Sequence, residues 1–518
     1  MIANLSSRQQ PLALAAVTLA VFWPTLSAQF VYDARLQIVT GDFIHDPWNW
    51  WHVLTGGTLS MDVLDFNRPV NLASLMLDAT IWGREPFGYH LASVAMHAAN
   101  VVLVWGVLRG LSHGMKGGLA GTAAAVLPPL IFAVHPVVTE AVCEPTFRED
   151  LLVAFFTLSG LLLAMGHRSA DGHDGWRAAG CVACSLLAIG SKESGIAAPA
   201  AITVYWLLFR RGELGWFWPV AIGGAKLVVV SFLAARFLLE PSPSMIFESR
   251  PGYPGGSLGA AMLIEPRILA LYTQLLVMPM NLCADYGLHS VSHLPLPVAI
   301  AVVVGVVAAG VFAVWRDRRM ALAATLVVVP LLPVLNLVPI YRAAADRYLY
   351  LPTAGVAMAV GLLLDGRWLT SRPATRDRLL VGLLAAVVLL GLGCTERQKV
   401  WANPLALWSD TFRKNPVAFT ASSGLAEALR ETGRLPEAEQ AARRAIQLVD
   451  GKRGDAWATL ALILDGQGRT KEAFEALDKA VEIDPRLDDP EGRVRALAME
   501  RPYADDLIAL LARRKAAR

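Results

Sequence analysis

The chain reads as an all-α polytopic membrane protein that ends in a helical-repeat tail. Three observations predict this. Of 518 residues, 55% are hydrophobic and only 17% charged, against about 25% charged in an average soluble chain. Apolar runs long enough to cross a bilayer recur from residue 11 to about 395. After Trp401 the composition turns to Ala, Glu, Arg and Leu, which divides the chain into a membrane domain, 1–400, and a tail domain, 401–518.

A span needs about 20 mostly apolar residues. Eleven candidates meet that pattern: 11–29, 87–108, 119–135, 150–166, 177–190, 194–209, 216–238, 296–315, 320–340, 350–365 and 378–395. The first is read as an uncleaved span rather than a leader, because many further apolar runs follow it. A shorter apolar stretch, 266–282, contains Pro279 and is expected to lie at the interface or to re-enter.

Arg and Lys in short loops set the orientation. Arg8, Arg109, Lys116, Arg210, Arg211, Arg316, Arg318 and Arg319 all fall on one side when the spans alternate. This puts the N-terminus in the cytoplasm and, after an odd number of crossings, the tail outside. The large loops 30–86 and 239–265 then face outward. In the first, "WNWWHVLTG" gathers Trp48, Trp50 and Trp51 and predicts an amphipathic helix at headgroup level. The second, rich in Pro, Gly and Ser, reads as a flexible loop or a mobile flap.

The tail carries two segments that align at a spacing of about 35 residues, "GLAEALRETGRLPEAEQAARRAIQLVD" and "TLALILDGQGRTKEAFEALDKAVEIDP". Small residues recur where paired helices touch and a glycine marks each turn, the pattern of tetratricopeptide repeats in an α-solenoid. The remainder, through "DDLIALLARRK", predicts a further helix pair that caps the stack.

A net charge of +3 is too small to argue for nucleic acid. No phosphate loop G-x-x-x-x-G-K-[ST] and no H-E-x-x-H occurs. The five cysteines are scattered; Cys181 and Cys184 sit inside an apolar run and read as small packing residues. Charged residues near a bilayer are costly and point to a role or a partner. Six groups gather at outer ends of spans: Arg68 with Asn71; His90 and His97; Glu140, Glu144, Arg148, Glu149 and Asp150; Lys192 and Glu193; Asp285 and Tyr286; and Arg342, Asp346, Arg347, Tyr348 and Tyr350. Guanidiniums bind phosphate, tyrosines suit sugars, and a carboxylate can take a proton from an acceptor hydroxyl. Each group also has an ordinary structural reading. Arg347 can simply pair with Asp346, Lys192 with Glu193, and the histidines can bond neighbouring helices.

The ordered motifs "FVYDARLQIV", "NRPVNLASLML", "FGYHLASVAMHAAN", "FAVHPVVTEAVCEPTFREDLL", "SKESGIAAP", "CADYG" and "ADRYLYLPTAG", followed by the repeats, resemble the GT-C superfamily of polyprenyl-phosphate-sugar glycosyltransferases. Within it the chain is similar to the transmembrane and tetratricopeptide-repeat-containing O-mannosyltransferases and their bacterial relatives. The resemblance implies a GT-C-like membrane domain in a bacterial inner (plasma) membrane. It implies transfer of a mannose-like sugar from a polyprenyl-phosphate carrier to a hydroxyl of an exported protein, a glycan or a lipid. Asp33 takes the place of the general base. The family often has two consecutive acids there; this chain has Asp33-Ala34, which leaves Asp42 as a candidate second carboxylate. Arg347 and Tyr348 match the donor-phosphate motif, with Arg68, Arg148 and Lys192 as helpers. Glu140, Asp150, Glu193, His90 and Asp285 complete the polar site. The scheme requires no cofactor and admits a divalent cation. Two rival readings share the same architecture: a membrane scaffold that binds protein through its repeats, and a transporter of lipid-linked sugars. The second predicts charges deep in spans and on both faces, and is disfavoured by their place on one face.

Overall fold

The computed structural model describes residues 6–61, 63–112, 118–166, 174–213, 215–238, 252–287, 291, 293–365, 372–495 and 499–517. Residues 239–251 of the expected flap lie outside the described residues, and its last part enters the helix Leu258–Val277. Among those described, every regular element is helical.

Five helices are long and apolar enough to cross a membrane: Pro86–Leu111, Leu258–Val277, Leu296–Arg316, Asp346–Asp365 and Pro373–Val400. A sixth candidate is the pair Gly121–Val134 and Pro136–Cys143, bent by 46°. The bend follows from the sequence. Pro136 has no N–H to donate, and the residue before a proline is driven to extended backbone; His135 has ψ 126°. Shorter apolar helices run Gln9–Val21, Glu193–Phe209, Phe217–Val230 and Met320–Val334. The expected eleven spans therefore appear as helices of unequal length, and their number is not fixed by length and composition. The stretch 266–282, expected to lie at the interface or to re-enter, is largely part of the 20-residue helix Leu258–Val277, which is long and apolar enough to cross a membrane.

The loop 30–86 has a small core of its own. Phe30, Ala34, Ile38, Ile44, Val53, Leu72, Leu75 and Tyr89 pack together. Its tryptophan stretch forms the short helix Asn49–Thr55, closed by Gly56 at φ 77°, a conformation natural to glycine. Trp48 and Trp51 remain 85% and 70% exposed. The loop also holds a second helix, Pro69–Trp82, with proline at its first turn.

The tail pairs helices Phe419–Glu431 with Leu435–Leu448 and Gly454–Gly466 with Thr470–Ile483. Gly433 and Gly468 sit at positive φ, 74° and 77°, in the two equivalent turns. Ala438, Ala445, Ala473 and Ala480 are buried where the helices meet, as small residues allow. Before them Pro404–Lys414 pairs with the first repeat helix, and Arg501–Ala517 closes the far end.

The tail docks on the loop that follows the first apolar helix. Arg35 pairs with Glu431 and, at 2.6 Å, with Glu500. The Gln29 N–H donates to Ala402 O at 2.9 Å, and the Arg501 N–H to Thr40 Oγ1 at 3.2 Å. Tail and first large loop are thus in direct contact.

Candidate functional site

Tyr32 sets the position of Asp33. Its φ of 50° is unusual for a bulky residue, and its ring is wedged on several sides. It stacks on Trp408 of the tail at 5.5 Å, meets Phe147 edge-on at 5.8 Å and lies 6.4 Å from Trp401. The Arg342 guanidinium lies over its face at 5.7 Å. Packing of this extent is what holds a strained backbone in place. It leaves the next side chain, Asp33, open to solvent on the floor of a polar bowl.

Around Asp33 the cations are already paired. Arg347 pairs with Glu140, and its own N–H donates to the second Glu140 oxygen at 3.1 Å. Its guanidinium lies 4.0 Å from the centre of the Phe147 ring. Lys192 pairs with Asp150 at 2.6 Å and Glu149 at 3.0 Å and lies 5.1 Å above the Tyr348 ring. Arg68 pairs with Glu149, with Asp65 at 2.9 Å and with Glu193 at 3.3 Å. Glu149 therefore ties Arg68 to Lys192. Arg342 pairs with Asp285 at 2.8 Å, and the Thr420 hydroxyl of the tail donates to the same carboxylate.

Asp33 differs from these acids: it makes no hydrogen bond or ion pair among the described residues. Protein surrounds it on every side but the open one. This crowding pushes its pKa up, against the pull of Arg347 and Arg342 and with the help of Glu149 and Glu140. Asp65 is pushed up to about 6 by burial, with Arg68 opposing. Burial lowers the proton affinity of Lys192, but Asp150 and Glu149 outweigh it and the net shift is upward. Beneath Asp33, Glu144 is fully buried and accepts from the Thr146 hydroxyl at 2.7 Å. Burial first, and Asp33 among its neighbours, push its carboxyl well up.

The structure brings Asp33, Arg68, Glu140, Asp150, Lys192, Glu193, Asp285, Arg347 and Tyr348 into this one connected region. Three other candidates lie apart from it. Arg148 is buried against Asp78 at 2.5 Å and donates to Tyr89 O at 2.8 Å and Ser93 Oγ at 3.2 Å, so it ties the Pro69–Trp82 helix to Pro86–Leu111 and has no free face for a donor. His90 is fully buried, its ring 6.3 Å from Phe30. Asp42 pairs with Arg84 at 2.6 Å on the exposed rim of the loop and does not stand beside Asp33. Ala34 is fully buried in the apolar core of the loop. A carboxylate at that position would enter that core rather than the bowl, which accounts for alanine in this chain.

Sequence reasoning missed Asp65, Tyr32 and Trp408. Asp65 stands three residues before Arg68 and had a readable signal in that spacing. Tyr32 and Trp408 are 376 residues apart and had none. Among the described residues no three His, Cys, Asp or Glu side chains converge as a metal site.

Comparison with known proteins follows the same outline. Residues 405–452 and 454–487 match family descriptions that both read "Tetratricopeptide repeat". The chain is 25% identical over 458 residues to the protein O-mannosyl-transferase F38B6.6 of Caenorhabditis elegans, an alignment covering 84% of this chain and 62% of that one. It is 28% identical over 313 residues to the protein O-mannosyl-transferase TMTC2 of Mus musculus, covering 54% and 35%. Among solved structures, ArnT from Cupriavidus metallidurans bound to undecaprenyl phosphate superposes with a TM-score of 0.44 at 15% identity, covering 99% of this chain and 78% of that one. The chain spans less than two thirds of the length of the curated relatives just named. Over most of its own length it is similar in sequence to the protein O-mannosyl-transferases, and it ends in the tetratricopeptide repeats that its motifs predicted.

Proposed function

We propose that the chain is a glycosyltransferase that moves a mannose-like sugar from a polyprenyl-phosphate carrier to a hydroxyl acceptor, with Asp33 as general base. The reading rests on one observation above all: Asp33 carries no ion pair among the described residues, in a bowl where most of the neighbouring acids are held by cations. Likeness to O-mannosyl-transferases supports the sugar and a Ser or Thr acceptor on protein. The named ligand of ArnT is an undecaprenyl phosphate; the polyprenyl carrier proposed here stands on the motifs and on the cations of the bowl.

In this scheme Asp33 takes the proton of the acceptor hydroxyl as its oxygen attacks the anomeric carbon. The bond from that carbon to the phosphate oxygen breaks, and the phosphate leaves with the electron pair. The anomeric configuration inverts. Arg347, Lys192, Arg68 and Arg342 surround the space where the leaving phosphate would sit. All four are shared with carboxylates, so a donor phosphate enters in competition with Glu140, Glu149 and Asp285. Acids outnumber cations here, which suits a site where a divalent cation or a protonated Asp65 reduces the surplus.

The reading places the chemistry on the outer face of a bacterial inner membrane, with the repeats on the same side and available to acceptor protein. The test is Asp33→Asn in the full-length protein, assayed for transfer from polyprenyl-phosphate mannose. Loss of a general base lowers the rate about 10²–10⁴-fold. Unfolding temperature stays unchanged, because the carboxylate makes no pair. Full activity in that variant removes the assignment.

A further inference from the structure

A second polar cavity lies outside the bowl, lined in part by Val400 and Ser409, the chain neighbours of Trp401 and Trp408. It measures about 630 Å³ and opens to solvent between the last long apolar helix and the first tail helix. Gly393, Glu396, Arg397 and Val400 form one wall. Their spacing of three and four residues puts them on one stripe of the helix Pro373–Val400. The wall occupies the last two turns of that helix, where its apolar run gives way to the polar sequence leading into the repeats, the composition expected at the level of lipid headgroups. Pro136, Pro279 and Leu282 line the cavity as well, so its lining is apolar in part.

The charged part carries an excess of cations. Arg397, Lys399, Arg413 and Lys414 line it, against Glu396 and Asp410. Lys399 pairs with Glu396 at 2.6 Å. The single Asp410 carboxylate is shared by Arg397 at 2.9 Å, Arg413 at 2.6 Å and Lys414 at 2.6 Å. Lys414 also donates to Leu282 O at 2.6 Å. Arg397 is 5% exposed, yet its Nε and Nη2 have no hydrogen-bond acceptor. Asp346, behind it, is 3.5 Å from Nη2 and is itself bonded by the Tyr286 hydroxyl at 2.5 Å. Nη2 is thus left to a long ion pair with Asp346 and Nε to no acceptor at all, and a buried guanidinium so poorly matched calls for one. Burial and then Arg397 pull the Lys414 ammonium below its ordinary proton affinity, the sign of cations crowding one another.

We propose that this cavity holds the phosphate-bearing headgroup of an anionic membrane lipid, gripped between Arg397 and the rim cations Lys399 and Arg413. The site is separate from sugar transfer, and its test does not depend on that reading. Full-length protein in mixed micelles of equal phosphatidylglycerol and phosphatidylcholine is analysed by native mass spectrometry for retained lipid. Wild type retains phosphatidylglycerol in preference. The rim variant Lys399→Gln with Arg413→Gln, both residues exposed and outside the core, lowers that retention by about fivefold per lost charge and leaves phosphatidylcholine unchanged. Arg443→Gln, elsewhere on the tail, changes neither. Inorganic phosphate added at millimolar level displaces phosphatidylglycerol from wild type. Equal retention of the two lipids by wild type, or undiminished retention by the rim variant, overturns the proposal. Binding of inorganic phosphate without a lipid preference overturns the lipid as its source.

Discussion

The polar bowl and the repeat tail use the same side chains in opposite ways. In the tail, Arg434 and Glu437 pair while both stay about half exposed, and so do Arg453 and Asp455. In the bowl, Arg347 and Glu140 pair with side chains 10% and 0% exposed. Pairs in water contribute little, because solvent screens them and ordering them costs entropy. Buried pairs are different: the pair as a whole need not stabilise, but removing one member strands a charge. The contrast separates charges that keep a surface wet from charges that shape a site.

The largest effect that tests this contrast is Glu140→Ala. It strands the Arg347 guanidinium and is expected to cost about 3–5 kcal/mol, read as a lower unfolding temperature in detergent, together with loss of transfer. Equal stability of variant and wild type would break the comparison. Next is Arg35→Ala, which removes the pair of ionic contacts between loop and tail. Its partners are partly exposed, so the cost is near the surface range, about 1 kcal/mol. The sharper readout is faster protease cleavage near residues 401–403 and lower transfer with the Asp33 carboxylate intact.

The pH profile probes the bowl without mutation. A base must be ionised, and the Asp33 carboxyl is shifted upward by the protein crowded around it. Activity is therefore present above that raised value and is lost as pH falls through it, at a higher pH than an ordinary carboxylate would give. An acid limb at the ordinary position would contradict the crowding around Asp33. The smallest effect is Arg434→Ala in the tail. Unfolding temperature and transfer both stay at wild-type values.

How much of this was legible in the sequence depended on cost. Lys192, Glu193, Arg68, Glu140 and Arg347 stood out because charges among apolar runs demand partners, and the structure gives them partners in one region. Arg148 stood out for the same reason but has another use. Its partner Asp78 lies on the Pro69–Trp82 helix, and periodicity alone did not separate that helix from its loop. Asp42 stayed a candidate second carboxylate beside Asp33, because the intervening turn decides which acid faces the bowl. Spans were readable as apolar runs, whereas their breaks at Pro136 and near Pro333 turned some into short helices. The tail contacts were invisible: Arg35 looks like any loop arginine, and Glu431 lies 396 residues away.

The docking of the tail also orders events in time. A ribosome delivers Tyr32 and Asp33 early and Trp408, Glu431 and Glu500 late. The loop that bears Asp33 has therefore been in place throughout synthesis of the intervening helices before the rings and carboxylates that hold it exist. A half-made chain carries most of the charges of the bowl but lacks the wall that fixes Tyr32. Tyr32 is packed from all of these sides only once the last helices fold back onto the first loop.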